Sequence, residues 1–190
     1  MKDKFLLIFS FFLLMASLPL LLTVHYTRTS PAVGTKDEAE RESAALSYMA
    51  SLCREEDSDE MLRAVAIILK SNDMAGETLP NAAHTSAAPS FKERVQSVYH
   101  SNLEILAYQD KPAAVPVCQS SGGVTANGDR PYLCAAASPW DAFDSTDSRE
   151  GCTGVSLNGL RHLCALGLTA EEALRWYVPR LLVTQARGMS

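Results

Sequence analysis

From Phe5 to Val24 the chain runs for twenty residues without a charged side chain, after Lys2 and Lys4 and before His25, Tyr26 and Arg28. Twenty helical residues at about 1.5 Å each span roughly 30 Å, the thickness of a bilayer's hydrocarbon core. The pattern predicts a membrane anchor over residues 1–26, its Lys2 and Lys4 end cytoplasmic by the positive-inside rule. A secretory leader also opens with a short basic stretch before an apolar one, and Pro19 sits inside the run. The run is longer than a usual leader core, however, and Thr23-Val24-His25-Tyr26 offers no small-x-small cleavage pattern, which favours an uncleaved anchor. The expectation is a single-pass protein of the cell membrane with its C-terminal part extracytoplasmic.

Roughly 160 residues follow, enough for one domain with a modest core. Residues 27–37 are short, polar and broken by Pro31 and Gly34, which reads as a linker, with the domain spanning 38–190. A formal net charge of −5 without a basic cluster argues against a nucleic-acid partner, because phosphate binding needs concentrated Lys and Arg.

Within the domain, Ala45, Tyr48, Met49 and Leu52 recur at helical spacing, and Met61, Leu62, Val65, Ile68 and Leu69 repeat it after the capping sequence Asp57-Ser58-Asp59-Glu60. Ser71–Ser90, with Gly76, Pro80 and Pro89, follows neither period and reads as loop. Val95–Tyr99, Leu103–Tyr108 and Ala113–Val117 suit strands, with a turn at Gln109-Asp110-Lys111-Pro112. The Gly, Ser, Asn and Asp residues up to Asp129 imply exposed loops able to line a groove. Helix returns from Asn158 to Leu166 with Gly167 as its stop, and Thr169-Ala170-Glu171-Glu172 is a capping box for a last helix that ends before Pro179. Helices, then strands, then helices give an α+β domain.

The five cysteines, Cys53, Cys118, Cys134, Cys152 and Cys164, include no C-x-x-C and no zinc-finger histidine pair. An odd count leaves at least one thiol free or paired with another chain, and buried thiols need no partner, so mostly reduced structural cysteines are expected. Neither a zinc site gathered from Cys118, Cys134 and Cys152 nor a Cys118 nucleophile served by His100 or His162 has support from spacing, and no metal or cofactor is expected. Among the aromatic residues, Trp140 beside Pro139 and Asp141 stands on a loop and is the best binding candidate, whereas Trp176 beside Tyr177 reads as core.

Several blocks carry a resemblance in order. They are Glu60-Met61-Leu62-Arg63-Ala64-Val65-Ala66, Leu106–Pro112, Ser120-Ser121-Gly122-Gly123-Val124-Thr125, Pro131-Tyr132-Leu133, Ser138-Pro139-Trp140-Asp141, and Asn158-Gly159 through Pro179. Together they resemble the stage II sporulation protein D family, which includes the amidase-enhancer proteins of bacterial walls. The resemblance implies a peptidoglycan-remodelling protein of sporulation, a lytic transglycosylase that cuts glycan strands with one glutamate as acid and base. A single carboxyl suffices where the sugar supplies its own nucleophile, provided an apolar cleft holds its proton near neutral pH.

In the family that glutamate stands eight residues after the leading tyrosine, which is Tyr48 here and points to Glu56, with Glu55 as the neighbouring alternative. Ser120, Ser121, Gly122, Gly123 and Thr125 are then the groove-lining residues, joined by Trp140 for substrate binding. The pattern also departs from the family. Cys118 stands near the Gly-Gly pair where the family has histidine, and Gly151 and Leu157 replace the histidine and glutamine of a later glycine-rich turn. The alternative expectation is a catalytically degenerate member that binds wall glycan or membrane partners and enhances another wall hydrolase.

Overall fold

The computed structural model describes residues 33–80, 87–143 and 151–186. Five α-helices and five short strands lie among them: α1 Val33–Leu52, α2 Asp59–Met74, α3 Pro89–Ser101, β1 Glu104–Tyr108, β2 Lys111–Pro112, β3 Val117–Cys118, β4 Val155–Ser156, α4 Leu157–Ala165, α5 Ala170–Tyr177 and β5 Leu182–Gln185. A 3₁₀ turn, Pro139–Phe143, precedes β4.

This is a small α+β fold, and the expected membrane-spanning helix is corrected. No helix among the described residues is long and apolar enough to cross a bilayer. The longest, α1, has twenty residues but carries Glu38, Glu40, Arg41 and Glu42, and burying such charges in hydrocarbon is prohibitive. The expected anchor at residues 5–24 lies outside the described residues. With no candidate span found, the expected single-pass placement at the cell membrane is not supported. Helix α1 begins at Val33, inside the stretch 27–37 read as linker.

The compact unit from Glu42 onward is organised around α2. Ser58 caps this helix, its hydroxyl accepting from the Met61 amide at 3.3 Å, and Asp59 and Glu60 in the first turn complement the helix dipole. Nine of its sixteen residues are buried. Met61, Leu62, Ile67 and Ile68 are fully covered, each contributing about 1.5–3 kcal/mol by leaving water. Ser71 joins helix to sheet, donating to the Ile67 carbonyl at 2.5 Å and accepting from the Leu106 amide at 2.7 Å.

Strand β1 is the centre of an antiparallel sheet of order β2-β1-β5. Gln109 and Asp110 turn it into β2 with φ of 51° and 61°, the left-handed pair that a tight hairpin requires. Strand β5, which period-2 patterning does not reveal in four residues, pairs Leu106 with Val183. The second sheet is the parallel pair β3-β4, with Val117 opposite Val155.

The region read as a strand at Val95–Tyr99 is helical. Its β-branched and aromatic residues suit a strand, but the buried residues Phe91, Val95 and Tyr99 recur every four positions, and Pro89 opens the helix. Ala113–Val117 does not become one strand: Ala113, Ala114 and Val115 are buried, Pro116 is exposed, and only Val117 enters β3. Instead, Asn72 clamps Val115, donating to its carbonyl at 3.0 Å and accepting from its amide at 2.7 Å. The capping box at Thr169 forms as its sequence predicts, the Glu172 carboxylate accepting from the Thr169 amide and hydroxyl at 2.9 Å each.

Candidate functional site

The Ser120–Thr125 loop leaves β3 three residues after Val117 and is closed by its own polar groups. Gly122 and Gly123 have φ of 68° and 117°, accessible without strain only to glycine. The Gly123 carbonyl accepts from the Ser138 amide at 2.8 Å, while the Thr125 amide donates to Ala136 at 2.9 Å and its hydroxyl accepts from the Ala136 amide at 2.8 Å. Ser120 and Thr125 are consequently buried. Among the expected groove-lining residues only Gly122 is exposed, with Ser121 and Gly123 half-exposed.

Asp141 underlies the loop. Its Oδ2 accepts from the Ser121 amide at 3.0 Å, the Ser121 hydroxyl at 2.6 Å and the Ser138 hydroxyl at 2.9 Å. Since the Ser138 proton goes to Asp141, the Tyr177 hydroxyl donates to Ser138 at 2.7 Å and receives the Trp140 indole N–H at 3.4 Å. Trp140, Tyr177, Ser138 and Asp141 thus form one directed chain of donors ending on a carboxylate. Burial pushes the Tyr177 hydroxyl above its ordinary pKa, which keeps it a donor.

The same chain seats an aromatic surface. The Trp140 ring stacks on His162 at 4.9 Å and 19°, and lies 5.8 Å from Trp176 at 46°. Trp140 is half-buried, while His162 is exposed and Trp176, expected in the core, is 47% exposed. The Trp176 indole N–H donates to the Ala137 carbonyl at 2.7 Å, which fixes the ring at the surface. The core role belongs instead to its neighbour Tyr177. Gly159 of α4 makes this packing possible, because a Cβ there would fall 1.7 Å from the Tyr177 hydroxyl and 2.5 Å from the Trp140 indole nitrogen.

The acidic turn between α1 and α2 is taken up by structure. Asp57 is buried against Arg161, with Nε to Oδ1 at 2.5 Å and Nη2 to Oδ2 at 3.2 Å. Arg94 pairs with Asp59 at 2.7 Å and reaches the Glu55 carbonyl at 3.1 Å. Glu60 accepts from the Ala170 amide at 2.7 Å, and the Glu55 carboxylate accepts from the Ala88 amide at 3.3 Å. Glu56 is exposed.

No family model matches the chain, and no curated protein matches it.

Arg161 also connects the turn to the loop. It donates to the Asn158 side-chain oxygen at 2.8 Å, which further accepts from the Gln119 amide group at 3.1 Å, immediately before Ser120. The connection starts from the Asp57–Arg161 pair, whose members are 104 positions apart, and no local pattern announces it.

Cys118 and Cys152 form a disulfide, which removes Cys118 as a nucleophile, while Cys53, Cys134 and Cys164 stay reduced, as expected for most of the cysteines. The bond ties the approach to the loop to the approach to β4. Cys53 and Cys164 are buried free thiols that burial pushes up to about 12, and Cys134 is free and half-exposed. No cluster able to hold a metal lies among the described residues.

Proposed function

We propose that this domain binds a saccharide polymer, the peptidoglycan glycan to which its resemblance points, and does not cut it through Glu56. The observation that carries this reading is the fixed aromatic surface of Trp176 and His162 over Trp140, anchored to the glycine pair through Asp141. Exposed ring faces held rigidly lose little entropy when a sugar ring stacks on them, and the half-exposed glycine loop allows close backbone approach. The exposed position of Glu56 argues against catalysis, because a carboxyl acting as acid near neutral pH needs an apolar, desolvated seat.

Co-sedimentation with glycan strands stripped of stem peptides, followed by mass spectrometry of the strands, tests both halves. Wild type and E56Q should bind alike and leave no anhydro-sugar ends, while W176A should bind about three- to tenfold more weakly. Anhydro ends that appear with wild type and vanish with E56Q would restore the transglycosylase reading. Absence of binding by wild type would overturn the saccharide reading itself.

A further inference from the structure

A separate cleft of about 360 Å³ opens where α1, the end of α2 and the extended segment before β3 meet. Its volume falls within the range of small-ligand sites. Leu79, Pro116 and Val117 supply an apolar wall, and Tyr48, Asp129 and Arg130 the polar and aromatic groups.

Most of its polar groups are already committed. Arg130 pairs with Glu77 and donates to the Ala114 carbonyl at 3.0 Å and the Tyr132 hydroxyl at 3.2 Å. The Glu77 carboxylate offsets its charge, and two of its donors are turned inward to Ala114 and Tyr132. The Asp129 carboxylate and the Tyr48 hydroxyl make no hydrogen bond or ion pair among the described residues. What remains to a ligand is the Asp129 carboxylate, the hydroxyls of Tyr48 and Thr78, and an apolar wall. That set complements a primary ammonium on an aliphatic stem: the carboxylate attracts the cation, the hydroxyl oxygens accept from it, and the wall covers the methylenes.

We infer that this cleft binds the side chain of a lysine-type diamino acid presented by a peptide. The site does not rest on the saccharide reading. Val117 lines it and Ser120 opens the glycine loop three residues later, so the two lie within about 11 Å along the chain. A polymer bearing both sugar rings and diamino-acid peptides is therefore able to engage both.

The test titrates Nα-acetyl-lysine-N-methylamide into the isotope-labelled full-length chain and follows backbone amide resonances. Saturable shifts at residues 115, 117, 129 and 130 with a Kd of roughly 1–10 mM are expected. The norleucine analogue, with the same stem and no ammonium, should give no saturable shift, and D129N should weaken lysine binding about threefold or more. W176A should leave lysine binding unchanged, which separates this site from the saccharide surface. Equal binding of the norleucine analogue, an unaltered Kd in D129N, or no saturation by wild type would each overturn the inference.

Discussion

Asp141 holds Ser121 by both its backbone amide and its hydroxyl, at 3.0 and 2.6 Å, and so sets where the Gly122-Gly123 pair begins. The carboxylate is almost fully buried and takes a third hydrogen bond from Ser138, so removing it strands three donors at once. D141A should lower stability by about 3 kcal/mol or more, because hydrogen bonds to charged groups are worth about 1.5–3 kcal/mol each. It should also weaken glycan binding, with the first effect measured by urea unfolding and the second by co-sedimentation.

Gly159 leaves the space in which Tyr177, Ser138 and Trp140 meet. In an ordinary exposed helix, G159A would gain about 1 kcal/mol from helix propensity. Here the added methyl has no room, and overpacking should instead cost about 1–3 kcal/mol, read as a lowered urea midpoint. Because the displaced atoms seat Trp140, the variant should lose glycan binding as well.

The Asp57–Arg161 pair ties the turn after α1 to α4 inside the protein, with the Asp57 side chain fully covered. D57A leaves the Arg161 charge without its partner and should destabilise by about 3–5 kcal/mol. D57A/R161M, which removes both charges, should recover part of that loss. A double variant no more stable than D57A would show that the pair's mutual neutralisation is not what Asp57 contributes.

The buried thiols predict an alkaline limb. Burial raises Cys53 and Cys164 to about 12, so they stay protonated in the fold over a range where an unfolded thiol, with pKa about 8.5, ionises. Their contribution is complete below about pH 8.5 and is lost as pH rises towards their folded values. Tyr99, also raised to about 12, adds its own loss only above about pH 10. Stability measured between about pH 8.5 and 10 should therefore fall in wild type and flatten in C53A/C164A. A thiol reagent at neutral pH should titrate Cys134 promptly in the native chain and all three free cysteines after unfolding.

Local chemistry made much of the fold legible. The capping box at Thr169 and the hairpin at Gln109-Asp110 are each specified by neighbouring residues, and both form. The strand expected at Val95–Tyr99 failed because its residue types suit a strand while its burial follows the four-residue spacing of a helix. The site was legible only in part. The Ser-Ser-Gly-Gly loop and Trp140 stand out in one dimension, but their polar groups turn inward to Asp141, Ala136 and Tyr177. Trp176 and His162 come to the same surface only through the packing of α4 and α5, so adjacency to the buried Tyr177 misled the assignment of Trp176 to the core. The disulfide, between cysteines 34 positions apart, likewise depends on the pairing of β3 with β4.

The chain has two tryptophans, Trp140 and Trp176, and both belong to the proposed saccharide surface. Intrinsic tryptophan emission is therefore a direct reporter, and titrating the full-length chain with stem-peptide-free glycan oligomers tests the central claim. A saturable change in emission, with W176A about three- to tenfold weaker when followed through Trp140, is the predicted result. Unchanged emission at glycan concentrations that co-sediment the protein would place binding elsewhere and contradict the account.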